Sequence, residues 1–293
     1  MKKSYFFLLT FILMSSNIWA QSSQPTLADS VSTLSMMPPD HFELPIGNQK
    51  VIEVVVYKPH MYDPSQKYPV LIIPDADPML GIIKTLNFLW SEEQYAIPTI
   101  LVGIPFGQTP GSIWVNRSYY FLPDSVGTIN YYGNNLPLNN GGGAQEFAQF
   151  LDNQVLPTLY KEYNVDQDRV GLIGFSMGGL FAAWHLVNYP GYFSDYIIIA
   201  PPLDSPFIGD EFNVAFKNLK NNGFTRFTKI YVAYAEHDLG YVHRGAGQWI
   251  EEWKNFDDEN LHFLGEEIKG FRHDSGAVPA TINGYRFLYG KQR

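Results

Sequence analysis

The chain has 293 residues, of which 45% are hydrophobic, 16% aromatic and 17% charged. That balance excludes a disordered, collagen-like or low-complexity chain and is enough to build a large core. A net charge of −9 argues against the broad positive field that holds nucleic-acid backbones or anionic lipid, and the absence of cysteine excludes disulfides, thiolate nucleophiles, iron–sulfur clusters and thiolate zinc sites.

The chain opens with Met1-Lys2-Lys3, an apolar run from Tyr5 to Met14, and Ser15-Ser16-Asn17-Ile18-Trp19-Ala20 before Gln21. A basic start, a core too short to span a bilayer and a small residue at the cut describe a secretory signal over residues 1–20. Its removal takes Lys2 and Lys3 and moves the net charge from −9 to −11. No later run reaches transmembrane length, so the expected product is an exported protein, periplasmic or secreted, with no membrane span in its mature form. Residues 21–46, rich in Ser, Thr, Pro and Met with weak periodicity, read as an arm ahead of a single domain over 47–293.

From Gly47 onward, short apolar runs recur at Val51–Tyr57, Val70–Pro74, Thr99–Ile104, Val170–Phe175, Tyr196–Ala200, Ile230–Ala235 and Leu261–Ile268. Helix-length stretches with helical spacing lie between several of them, at Ala144–Tyr163, Met177–Asn188, Glu211–Asn221 and Gly247–Phe256. Strands alternating with helices, the middle strands continuously apolar, predict an α/β domain: a mostly parallel central sheet with helices on both faces. Val51–Tyr57, with its polar Glu53, reads as an edge or hairpin strand. Residues 105–143 carry many prolines and glycines interleaved with Trp114, Tyr119, Tyr120, Phe121, Tyr131 and Tyr132. They read as a long irregular loop whose rings form a wall of a substrate pocket or pack the loop onto the body.

The strongest local pattern is Val170-Gly171-Leu172-Ile173-Gly174-Phe175-Ser176-Met177-Gly178-Gly179-Leu180. It is a strand, a sharp turn and a helix carrying Gly-x-Ser-x-Gly, in which glycines leave room beside a serine held in a strained conformation. Ser176 is therefore the candidate nucleophile. A serine hydroxyl needs a base, and the base an orienting acid; in this architecture both follow the serine, acid first. Of the later histidines, His185 falls within the helix after Ser176 and His262 within a strand. His273 follows the last strand in a glycine-bearing loop ahead of a terminal helical stretch, which makes it the candidate base, with His243 next. The strand Lys229–Ala235 ends in Glu236-His237-Asp238. Asp238, further into the loop, is favoured as the acid, with Glu236 the alternative and Asp204 third. The oxyanion needs donors: Met177 N–H is one, and the second is expected from Ala76 or Asp77, after the strand that ends at Pro74.

No metal or cofactor pattern emerges. There is no His-Glu-x-x-His, and Gly141-Gly142-Gly143 lacks the Lys-Ser/Thr of a phosphate loop.

With these residues in place the chain resembles the esterase D-like branch of the α/β-hydrolase superfamily, which groups feruloyl and acetyl-xylan esterases, siderophore esterases and S-formylglutathione hydrolases. The resemblance rests on Tyr68–Asp75, Val102-Gly103-Ile104, Arg117, Pro123-Asp124, Gly142-Gly143, Gly174–Leu180, Gly270–Ser275 and Gly284–Tyr289. It implies the α/β-hydrolase fold, Ser176 as nucleophile, His273 as base and Asp238 at the acid position, although some siderophore esterases work with a Ser/His pair alone. Many members have Asp-Gly where this chain has Asp75-Ala76. Arg117 resembles an arginine that faces substrate in siderophore-esterase-like members, with a salt bridge anchoring the loop as the other reading. Arg117, Trp114 and Tyr119 are accordingly the candidate substrate-binding residues. The function expected is hydrolysis of a small-molecule carboxylic ester, catecholate siderophore or feruloyl in type, through an acyl-serine intermediate. The alternatives are acyl transfer, as in the mycolyltransferase-like branch, and a hydrolase-fold binding protein. Nothing in the sequence sets the oligomeric state.

Overall fold

A computed structural model describes residues 38–47, 50–107, 112–124, 128–131, 133–137, 140–205 and 208–291. The proposed signal peptide and most of the arm lie outside the described residues.

Eight strands form one sheet: β1 (Asp40–Ile46), β2 (Lys50–Tyr57), β3 (Tyr68–Ile73), β4 (Ile100–Gly103), β7 (Val165–Phe175), β8 (Asp195–Ile199), β9 (Thr228–His237) and β10 (Leu261–Arg272). Their order is β1-β2-β4-β3-β7-β8-β9-β10. β2 runs antiparallel to both β1 and β4, and β4, β3, β7, β8, β9 and β10 run parallel to one another. This is the expected mostly parallel sheet. One boundary differs: β1 lies in the segment read as an arm, so the sheet begins before Gly47. Along β1 the more covered Phe42, Leu44 and Ile46 alternate with exposed His41, Glu43 and Pro45, the period-2 signature of a strand with one face on the core. β1, not β2, is the edge, and the two make a hairpin.

The helices are α1 (Ala76–Glu92), α2 (Ser112–Phe121), α3 (Ala144–Phe150), a π-helical turn (Leu151–Val155), α4 (Leu156–Glu162), α5 (Met177–Asn188), α6 (Gly209–Asn222), α7 (Gly240–Lys254) and α8 (His273–Tyr289). Alternating side chains of the central strands feed two cores. Leu71, Ile73, Leu101, Ile173, Ile197 and Ile199 pack with Met79 and Ile83 of α1 and Tyr285, Leu288 and Tyr289 of α8. Val70, Ile72, Val102, Leu172 and Ile198 face the other way, against Phe147, Leu180, Phe181, Phe212, Trp249 and Trp253 from α3, α5, α6 and α7. Helices thus cover both faces, and among the described residues none is long and apolar enough to cross a membrane.

Residues 105–143 are not an irregular loop throughout. They contain α2 and a separate hairpin of β5 (Thr128–Tyr131) and β6 (Asn134–Pro137). Tyr120 and Phe121 are buried among Phe106, Phe147 and Phe181, so these rings attach the segment to the body.

His185 is structural, as its helical position implies. It is buried in α5, its Nδ1 lies 3.1 Å from the Tyr196 hydroxyl, and its ring stacks on Phe193 at 4.7 Å. Burial pushes its pKa down to about 3, against an unfolded value of about 6.5. Between those values the unfolded chain binds the extra proton. Stability contributed by this neutral histidine is therefore complete above about pH 6.5 and falls by about 1.4 kcal/mol per pH unit below it. Urea midpoints measured from pH 7 to 5 are expected to fall more steeply for the wild type than for His185→Phe; parallel slopes would show that His185 does not titrate this way.

Candidate active site

Ser176, Asp238 and His273 follow the C-terminal ends of the parallel strands β7, β9 and β10 at the same end of the sheet, where α/β folds place their ligands. Ser176 sits between the end of β7 and the start of α5 with φ 57° and ψ −116°. This is a left-handed φ that a residue with a side chain adopts only at a cost. The Ser176 N–H donates to the Ile199 carbonyl at 2.9 Å, and the Ser176 carbonyl accepts from Leu180 N–H. The flanking glycines are required by space. A Cβ on Gly174 would stand 1.9 Å from the Gly178 carbonyl oxygen, and one on Gly178 would stand 2.3 Å from Asp75 Oδ2.

His273 Nε2 lies 2.8 Å from Ser176 Oγ, and His273 Nδ1 lies 2.6 Å from Asp238 Oδ1. A carboxylate can only accept, so Nδ1 carries the proton and Nε2 faces the serine hydroxyl as acceptor. Asp238 is itself fixed: Leu239 N–H donates to Oδ1 at 2.8 Å and Ala235 N–H to Oδ2 at 3.0 Å. The His273 and Asp238 side chains are 1% and 0% exposed, and the Phe175 ring packs on the imidazole at 5.0 Å. His273 is the first residue of α8, directly after β10, whose pairing with β9 shifts register between Ile268 and Arg272. It therefore opens a helix instead of lying in a loop.

The alternative acid is placed elsewhere. Glu236 accepts the Gly270 N–H at 2.8 Å and sits 3.6 Å from Lys269. Asp204 pairs with Arg244 at 2.7 Å, and His243, on α7, lies 3.6 Å from Glu267 of β10.

Met177 and Ala76 are the first residues of α5 and α1, and the opening N–H groups of a helix have no carbonyl four residues back within it. β3 and β7 are neighbours, and a Cβ on Gly178 would stand 2.3 Å from Asp75 Oδ2, so the turn after β3 and the first turn of α5 approach each other closely. On α2 the structure shows the salt-bridge reading of Arg117 and gives Tyr119 other partners. Arg117 is 7% exposed, and its Nε and Nη2 donate to Asp75 Oδ1 and Oδ2 at 2.6 and 3.2 Å; its fork is taken up by a buried ion pair and not by an open pocket wall. Burial pushes the Asp75 carboxyl up, and Arg117 works against that shift. Tyr119 lies on another face of the helix: its hydroxyl donates to Glu146 at 2.8 Å and its ring takes the Lys50 ammonium at 5.2 Å. It packs α2 against the body. Trp114 is 49% exposed, with the Arg117 guanidinium 5.5 Å from its ring. Asp75 has a role that reading the sequence did not assign, although Pro74-Asp75 stands at the end of an apolar strand. Among the described residues no three His, Asp or Glu side chains group as metal ligands.

Residues 48–256 match the family model described as "Putative esterase". The chain belongs to this esterase family. It is 24% identical over 167 residues to the ferri-bacillibactin esterase BesA of Bacillus subtilis (strain 168), covering 55% of this chain and 58% of that one. It is 23% identical over 207 residues to the apo-salmochelin esterase of Escherichia coli O6:H1, covering 69% and 64%. The chain thus spans about three fifths of the length of the curated relatives it matches. Among solved structures, the BES protein from Bacillus cereus superposes with a TM-score of 0.77 at 20% identity, covering 88% of this chain and 98% of that one. An IroE-like serine hydrolase from Shewanella oneidensis gives 0.71 at 20% identity, covering 85% and 79%. These likenesses establish the α/β-hydrolase fold.

Proposed function

We propose that the chain is an exported serine ester hydrolase acting on siderophore or related aromatic esters through an acyl-Ser176 intermediate. The observation that carries this reading is the unbroken relay from Asp238 through His273 to Ser176 at a strained strand-to-helix turn. His273 Nε2 takes the hydroxyl proton as Ser176 Oγ attacks the ester carbonyl, and Asp238 holds the imidazole in the tautomer this needs and stabilises the imidazolium. The carbonyl oxygen gains charge beside the N–H groups of Met177 and Ala76. Collapse breaks the bond to the alcohol, which leaves with the proton from His273. Water then repeats the sequence on the acyl-serine and restores the free enzyme. The relatives named as ferri-bacillibactin and apo-salmochelin esterases and the exposed Trp114 ring support an ester with a flat acyl or alcohol part.

The test is covalent. A fluorophosphonate is expected to label the protein once, on the peptide containing Ser176, and to abolish turnover of p-nitrophenyl acetate and of siderophore esters together. Absence of both labelling and turnover would overturn the esterase reading. Turnover of the small ester without release from siderophore esters would overturn the substrate class. Amino-terminal sequencing of the exported protein is expected to begin at Gln21.

A further inference from the structure

Ala76, proposed above as the second oxyanion donor, is flanked by two aspartates, and each is held by a different part of residues 104–121. On one side, Asp77 Oδ2 accepts the N–H groups of Phe106 and Gly107 at 2.7 and 3.2 Å. On the other, Asp75 takes the Arg117 fork through both of its oxygens. The same guanidinium donates from Nη2 to the Phe175 carbonyl at 3.4 Å, the residue that precedes the nucleophile. One side chain, carried on α2, therefore joins the turn after β3 to the turn after β7. Both members of the pair are buried, Arg117 at 8% and Asp75 at 2% side-chain exposure, so solvent does not screen it as it does a surface pair. A planar fork that meets both carboxylate oxygens fixes direction as well as distance.

We propose that Arg117 is a positioning residue for the oxyanion site: through Asp75 it holds the Ala76 N–H, and through the Phe175 carbonyl the Ser176 turn, in fixed relation to each other. The inference rests on the esterase reading and deepens it. Its chemistry is distinct from contact with substrate, because an oxyanion donor acts when charge develops on the carbonyl oxygen. A loosened donor lowers kcat for every ester, whereas a lost substrate contact raises KM for the esters that made it.

The experiment compares the wild type with Arg117→Gln, Arg117→Lys, Asp75→Asn and the double variant Asp75→Asn/Arg117→Gln, all on p-nitrophenyl acetate, a small neutral ester with no group for an arginine to recognise. Arg117→Gln and Asp75→Asn are each expected to lower kcat by about 10- to 100-fold with KM within about threefold, an effect on the scale of weakening one oxyanion donor. The double variant should lose little more than the worse single one, because the two side chains act as one unit. Arg117→Lys keeps the charge and loses the fork, so it should fall between the wild type and Arg117→Gln at an unchanged melting temperature; this variant tests the positioning role if the others fold poorly. Fluorophosphonate labelling rates should fall in step with kcat. Arg117 variants with wild-type kcat on p-nitrophenyl acetate, or a raised KM confined to large or anionic esters, would overturn the proposal while leaving the esterase reading intact. A wild type that neither labels nor turns over would overturn both.

Discussion

Ser176→Ala is expected to lower kcat/KM for p-nitrophenyl acetate by at least about 10⁴-fold, about 5 kcal/mol of transition-state stabilisation. What remains would come from binding and from the oxyanion donors, which the substitution leaves in place. His273→Ala should cost a similar factor, and the double variant should cost no more than either alone, because a nucleophile without its base and a base without its nucleophile are equally idle. Stability should move differently from activity. Ser176 holds φ 57° and ψ −116°, a conformation strained for any residue with a Cβ and open to glycine. Ser176→Gly should therefore abolish turnover and melt about 2–4 °C above the wild type, the shift that relief of about 1 kcal/mol gives a chain of this size. A variant that keeps turnover, or that loses it by unfolding, would contradict the assignment of Ser176 as nucleophile at a strained turn.

The difference between what the sequence announces and what it conceals has a physical pattern here. β7, Ser176 and α5 are legible because three local requirements coincide within a dozen residues: an apolar strand, glycines at Gly174 and Gly178, and a helix with small residues against the sheet. His273 and Asp238 are legible through topology, since each follows a recognisable strand. β1 was hidden by its composition, because Pro45 and Glu43 mask a period-2 pattern in which Phe42, Leu44 and Ile46 are the covered positions. α1 was hidden for a related reason. Its buried positions Met79, Ile83 and Asn87 have helical spacing, but Asn87 is polar, and its carboxamide is buried to accept the Thr99 N–H and donate to the Thr99 carbonyl.

Residues 105–143 show the limit of local reading most clearly. Their prolines and glycines signal loop, yet α2 forms within them because the body supplies what propensity does not. Tyr120 and Phe121 are buried against an aromatic cluster, and Arg117 is buried against Asp75, 42 residues away in sequence. A salt bridge of that separation leaves no trace in the spacing of either partner. For the same reason Tyr119 and Trp114, alike as aromatic residues of one short helix, have different surroundings: the first meets Glu146 and Lys50, and the second remains half exposed beside Arg117.

The acid is the member of the relay whose contribution the fold makes most testable. Asp238→Asn is expected to lower kcat by about 10⁴-fold near neutral pH, with p-nitrophenyl acetate as the readout. The reason lies in how tightly the carboxylate is fixed. Leu239 N–H and His273 Nδ1–H donate to Oδ1 and Ala235 N–H donates to Oδ2, at full burial. An asparagine has one accepting oxygen for these three donors: with that oxygen in the Oδ1 place its NH₂ is set against the Ala235 N–H, and with it in the Oδ2 place its NH₂ faces Nδ1. The second arrangement makes Nδ1 the acceptor and moves the ring proton to Nε2, opposite Ser176, where it removes the base. Glu236→Gln should stay within about threefold of the wild type, because Glu236 accepts the Gly270 N–H and sits against Lys269. Loss of activity in Glu236→Gln with little change in Asp238→Asn would reverse the assignment of the acid. Near-wild-type activity in both would mean that Ser176 and His273 suffice as a pair, with the imidazole held by its place at the start of α8 and by the Phe175 ring.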